Sequence, residues 1–130
     1  MPGGNMSFQC PSCANKKTLR IIDSIELPPD SRSDEISLQV VRCSSCNYQG
    51  MAVYEESSRG ALGSESVDHY GYLADQEIYR SVRSLIKRCP KPGNSKCKCA
   101  AHRALNKRDK SGRWLRPGLE AGQQTYPMKM

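Results

Sequence analysis

Cys10 and Cys13 are separated by two residues, Cys43 and Cys46 by another two, and twenty-nine residues lie between the pairs. Two residues between cysteines allow a tight turn that aims both thiols at one point. Two such turns supply four ligands, the full tetrahedral shell of a structural metal site with no position left open for chemistry. The chain needs a brace of this kind: 130 residues with one Phe, one Trp and a hydrophobic fraction of 37% cannot build a large apolar core. The start, Met1-Pro2-Gly3-Gly4-Asn5-Met6, lacks a basic segment followed by an apolar one, and no run approaches the ~18 apolar residues of a membrane span. A soluble cytoplasmic protein with reduced thiols and no membrane partner is therefore expected. Seven cysteines, an odd number in two clusters, suit ligation better than a full set of disulfides. The spacing predicts zinc at Cys10, Cys13, Cys43 and Cys46, with a Cys-x-x-Cys redox pair as the competing reading.

Apolar residues at Leu19, Ile21, Ile25 and Leu27 recur with a period of two, the pattern of a strand with one buried face, interrupted at Asp23. Pro28-Pro29-Asp30-Ser31 ends it, and Ile36, Leu38 and Val40 alternate again before the second cysteine pair. A hairpin with a polar tip thus fits between the two pairs. A third strand is expected at Met51 to Tyr54, closing a module over 1–56. Ser57, Ser58, Gly60, Gly63, Ser64 and Ser66 mark a linker over 57–74. From Asp75 the period becomes helical, with Ile78, Val82, Leu85 and Ile86 on one stripe, Asp75 as the cap and Pro90 past the end. Glu77 early and Lys87 and Arg88 late match the helix dipole, and Arg80, Arg83 and Lys87 share a neighbouring face. Residues 117–130, with Pro117, Gly118, Gly122 and Pro127, are expected to be a disordered tail.

With these pairs and this hairpin, residues 8–56 resemble the zinc-ribbon family, whose members place one cysteine turn on each side of a β-hairpin and add a third strand. Ribbons commonly carry Gly after the second cysteine of each turn, where Ala14 and Asn47 stand here. Rubredoxins share the double turn and bind iron, but their aromatic core has no counterpart in a segment offering Phe8, Tyr48 and Tyr54. The tip sequence Arg32-Ser33-Asp34-Glu35, with Glu35 eight residues before Cys43, is similar to the hairpin of transcript-cleavage elongation factors. That resemblance implies that Asp34 and Glu35 reach into an RNA polymerase active site and help to hold a catalytic Mg²⁺. The residue between Ser and Asp and the proline after Glu are missing here, and the ribbon lies at the other end of the chain.

Cys89, Cys97, Cys99 and His102 use up every remaining cysteine and form a second set of three thiols and an imidazole. This is a complete zinc shell, with Cys99 and His102 one helical turn apart. Free cysteines in a basic loop, or a redox sensor, are the alternatives, and His69 is the substitute ligand if His102 is not one. Arg88, Lys91, Lys96, Lys98 and Arg103 crowd the cluster and favour thiolate.

Charge is divided unevenly. Residues 1–86 carry 8 basic and 11 acidic side chains, hence −3, while residues 87–130 carry 12 basic and 2 acidic, hence +10. A short helix from about Ala100 would place Arg103, Lys107 and Lys110 on one face, with Arg113 and Trp114 following Gly112. Cations beside an aromatic suit phosphate contact and base stacking, so Lys98, Arg103, Lys107, Arg108, Arg113 and Trp114 are the candidate nucleic-acid contacts. Packing of Trp114 against the second metal module is the alternative. No Ser-His-Asp, Cys-His or paired-carboxylate arrangement is recognisable, and an enzyme is not expected. The expectation is thus a small zinc-stabilised α+β protein: an N-terminal three-stranded antiparallel ribbon, an amphipathic helix, and a basic C-terminal module over 75–116 with a second zinc. Its expected role is nucleic-acid binding in transcription or RNA metabolism, with an RNA polymerase adaptor acting through the acidic hairpin as the alternative.

Overall fold

In the computed structural model, which describes residues 7–57, 66–119 and 123–130, one antiparallel sheet of five strands runs in sequence order. β1 (Leu19–Leu27) and β2 (Glu35–Cys43) form the expected hairpin, and β3 (Gln49–Ser57) follows as the third strand. Two further strands lie where the sequence pattern predicts none, so the expected three-stranded sheet is corrected to five. β4 (Ser66–Tyr72) occupies part of the expected linker and pairs with β3 from Met51↔Tyr72 to Ser57↔Ser66. Its local sequence reads as loop, and pairing with a strong neighbour overrides that preference. Residues 58–65, the rest of the serine- and glycine-rich stretch, lie outside the described residues. β5 (Thr125–Pro127) belongs to the expected tail and covers the outer edge of β4, with Gly71 opposite Tyr126. Gly71 is required there, because a Cβ would collide with the Tyr126 ring.

The sheet is buried on both faces, and an irregularity in β1 makes this possible. Ile21 pairs with Val41 but Asp23 pairs with Val40, so Ile22 is an extra residue with no partner. A bulge reverses the side to which the following residues point. Leu19 and Ile21 therefore join one apolar cluster with Phe8, Cys10, Val41, Cys43 and Ala52. Ile25 and Leu27 join the other, with Leu38, Val40, Met51 and Val53. The odd-numbered spacing of these four residues predicted one buried face; the bulge corrects that to two.

The second face is covered by α1 (Gln76–Arg88) and α2 (Ala100–Leu105). Asp75 caps α1, its carboxylate accepting from the Ile78 amide at 2.9 Å, and Tyr79, Val82 and Ile86 are buried. Asp23, which breaks the strand's alternation, receives a bond from Arg83 Nε at 2.9 Å and so ties β1 to α1. Trp114 fills this core at 1% exposure, its indole nitrogen donating to the Leu105 carbonyl at 2.8 Å.

The hairpin tip is fastened to the C-terminal segment. Asp30 is buried and accepts from the Trp114 amide at 2.9 Å and the Ser33 amide at 2.7 Å, and Arg113 Nη1 pairs with it at 2.5 Å. Arg113 and Arg116 both pair with the buried Glu55, each at 3.0 Å. Arg108 completes the clasp by donating to the Pro29 and Pro28 carbonyls at 2.7 and 2.9 Å.

Candidate metal centres and charged surfaces

Cys10 and Cys43 are buried, Cys13 and Cys46 exposed, and the four sulfurs converge within 4.8 Å of one another. The Cys10–Cys46 and Cys13–Cys43 sulfur separations are 3.6 and 3.8 Å. A tetrahedral shell with metal–sulfur bonds of ~2.3 Å spaces its sulfurs ~3.8 Å apart, so these thiols can hold one ion with little rearrangement. Each turn is closed by a residue with positive φ, Ala14 at 64° and Asn47 at 63°. These are the two positions where ribbons commonly carry Gly, and both adopt the conformation that Gly makes easy. Amides of Ser12, Ser45 and Cys46 point at the sulfurs at 3.3 to 3.4 Å, and the Thr18 hydroxyl lies 3.1 Å from Cys43 Sγ.

Burial opposes ionisation of Cys43 most strongly, but the Thr18 hydroxyl and the Cys46 and Ser45 amides outweigh it and lower this thiol to about 6. Cys10 is pushed up to about 12, chiefly by burial. A divalent ion held there would supply the positive charge that lets the buried thiol ionise as well.

Cys89, Cys97, Cys99 and His102 form the second group, again with ligand atoms within 4.8 Å of one another. Cys89 closes α1, and Cys99 caps α2 by accepting from the His102 amide, so the helix ends place three of the four ligands. His102 Nδ1 lies 3.2 Å from Cys89 Sγ and 3.4 Å from Cys99 Sγ, and Cys97 Sγ is 3.9 Å from Cys89 Sγ. The other ring nitrogen, Nε2, is 2.9 Å from the Glu26 carbonyl oxygen. A carbonyl only accepts, so Nε2 carries the proton and Nδ1 presents its lone pair to the sulfurs. Cys99 is lowered to about 6, chiefly by the His102 amide, whereas burial pushes Cys89 up to about 11. His69, the substitute ligand, is engaged elsewhere, with Nε2 2.7 Å from Gln39 Oε1.

The candidate nucleic-acid residues separate into two kinds. Lys98, Arg103 and Lys107 are exposed. Arg108 and Arg113 belong to the clasp on the hairpin tip, and Trp114, at 1% exposure, has no ring face to offer a base. The stacking role expected for Trp114 is therefore corrected: the indole is a core residue. α2 ends at Leu105, so Lys107 and Lys110 follow the helix and do not extend a face of it. At the hairpin, Glu35 begins β2 opposite Glu56, and the Asp34 amide donates to the Glu56 carbonyl at 2.8 Å. The acidic pair thus sits at the root of the strand, beside an apex that is fastened down.

Residues that sequence reasoning missed are Thr18, whose place beside Cys43 depends on the hairpin register, and Glu26, which contributes only its backbone. The stripe Arg80, Arg83 and Lys87 was legible as a face, but not as the wall of a cleft. That cleft, of about 530 Å³, runs between α1 and Gln49 and is lined by Tyr79, Arg80, Arg83, Lys87 and Arg88. Among the described residues no helix is long and apolar enough to cross a membrane. No protein-family model, curated protein or solved structure matches this chain.

Proposed function

We propose that both clusters hold zinc as a structural ion, and that the scaffold they brace binds nucleic acid in transcription or RNA metabolism. The orientation of His102 by the Glu26 carbonyl carries the metal half of this reading, since it fixes the tautomer needed to complete a four-ligand shell. Soft thiolates with one imidazole suit zinc, and four protein ligands leave no place for a reacting water. Metal analysis of the purified protein is expected to give two zinc ions per chain. Iron in their place, or a metal-free folded protein, would sink the metal half.

The nucleic-acid half is supported by the +10 segment, in which Lys96, Lys98, Arg103, Lys107 and Lys110 stay exposed after folding. Phosphate contact by such side chains releases counterions, so affinity should fall with salt at a log-log slope of about 0.7 to 0.9 per phosphate neutralised. Titration of labelled DNA and RNA across salt concentrations tests this. Absence of binding at low salt would refute it.

A further inference from the structure

The cleft beside α1 has a composition that the fold does not require. Arg80, Arg83, Lys87 and Arg88 line it, together with Gln49, Gln76, Ser84 and Tyr79, and no carboxylate is among the lining residues. Three of these cations have structural explanations: Lys87 and Arg88 sit in the last turn of α1, where the helix dipole favours them, and Arg83 is paired with Asp23. Arg80 has neither.

Its neighbours on the sheet are also basic. Arg42 lies directly opposite Arg20 on β1 and opposite Gln49 on β3, and both arginines are exposed. Like charges in directly opposed positions of a sheet repel and weaken the pairing. The repulsion is relieved when an anion lies across both. Tyr79, 4% exposed, also lines the cleft. Burial raises its phenol above the ordinary range, and the charges of Arg83 and Arg42 and a bond from Arg83, whose Nε is held by Asp23, oppose this.

We propose that this cleft is the nucleic-acid backbone site: phosphodiester groups seat on Arg80 and Lys87 and on Arg42, which neighbours the lining residue Gln49 on the sheet. Arg80 and Lys87 are seven residues apart in α1, a row of about 10 Å at 1.5 Å per residue. Phosphates of one strand succeed one another every ~3.4 Å along a duplex axis, so the row meets several of them. The inference rests on the nucleic-acid reading and places the main contact in the cleft, with the C-terminal cations as a lesser one.

The test compares two triple variants of the full metal-loaded chain by anisotropy with labelled single-stranded and duplex DNA and RNA. Arg42→Gln with Arg80→Gln and Lys87→Gln is expected to weaken binding at least ~10-fold and to lower the salt slope by about 2 to 3. Lys98→Gln with Arg103→Gln and Lys107→Gln is expected to have the smaller effect. If the second triple loses as much as the first, or more, the placement in the cleft is wrong and the nucleic-acid reading stands. If the parent protein binds no nucleic acid at low salt, the reading itself fails and the inference falls with it.

Discussion

His102 and Glu26 are 76 positions apart in the chain, yet Nε2 of the imidazole lies 2.9 Å from the Glu26 carbonyl oxygen. The bond joins α2 to β1 and at the same time sets which nitrogen faces Cys89 and Cys99. His102→Ala is therefore expected to lower the zinc content by about one ion per chain, while the site built by Cys10, Cys13, Cys43 and Cys46 keeps its own. Metal analysis after gel filtration reads the change. An unchanged stoichiometry would show that the imidazole is not a ligand.

Ala14 holds φ at 64°, a conformation that costs a residue with a Cβ about 1 to 2 kcal/mol. Ala14→Gly removes that cost but gives back part of it by loosening the unfolded chain. The expected net gain is about 0.5 to 1 kcal/mol in thermal unfolding of the metal-loaded protein. Asn47→Gly should gain less, since Asn enters this conformation more readily. A loss of stability in Ala14→Gly would mean that the methyl group has a packing role.

Asp30 holds its carboxyl well below the ordinary carboxylate range. Burial opposes this, but the Trp114, Ser33 and Arg32 amides and the Arg113 guanidinium outweigh burial. A carboxylate depressed in the folded state contributes stability that is present in full above its unfolded pKa of about 3.9 and is lost as pH falls towards the folded value. The protein should therefore lose stability steeply below about pH 4. Asp30→Asn should cost about 3 kcal/mol at neutral pH, by removing one of the two buried carboxylates that Arg113 pairs with, and its stability should vary less with acid. Denaturant unfolding at several pH values measures both. Parallel curves for the two proteins would refute the assignment.

Gly71 leaves room for the Tyr126 ring, and Tyr48 and Tyr126 meet hydroxyl to hydroxyl at 3.1 Å. Gly71→Val is expected to displace β5 and expose the C-terminal residues to a protease, while the two metal sites persist. Cleavage at the parent's rate would show that β5 does not depend on this contact.

The cysteine spacing made the positions of β1, β2 and the beginning of β3 legible, because a hairpin is the short path between two converging turns. The cap at Asp75 and Pro90 past the end made α1 legible almost to the residue. β4 was not, since His69, Gly71 and the flanking serines carry no alternation and the strand is held by its pairing with β3 and β5. The bulge at Ile22 was hidden because it leaves the period of the sequence unchanged while reversing the direction of the side chains. Candidate ligands could be read from spacing. Whether a cation was free to meet a partner could not: Arg113 and Lys107 look alike in a basic segment, and only the position of Asp30 separates them.

The clasp also orders events in time. As the chain leaves the ribosome, the first set of ligands is complete at Cys46, whereas the second waits for His102, and Asp30 stays without its arginine until Arg113 has emerged. At ~5 to 20 residues per second, the hairpin spends several seconds as an exposed nascent fragment. Zinc captured early would hold that fragment in register and keep its edges from pairing with other chains, so a shortage of the metal during synthesis should do more harm than its removal from the finished protein.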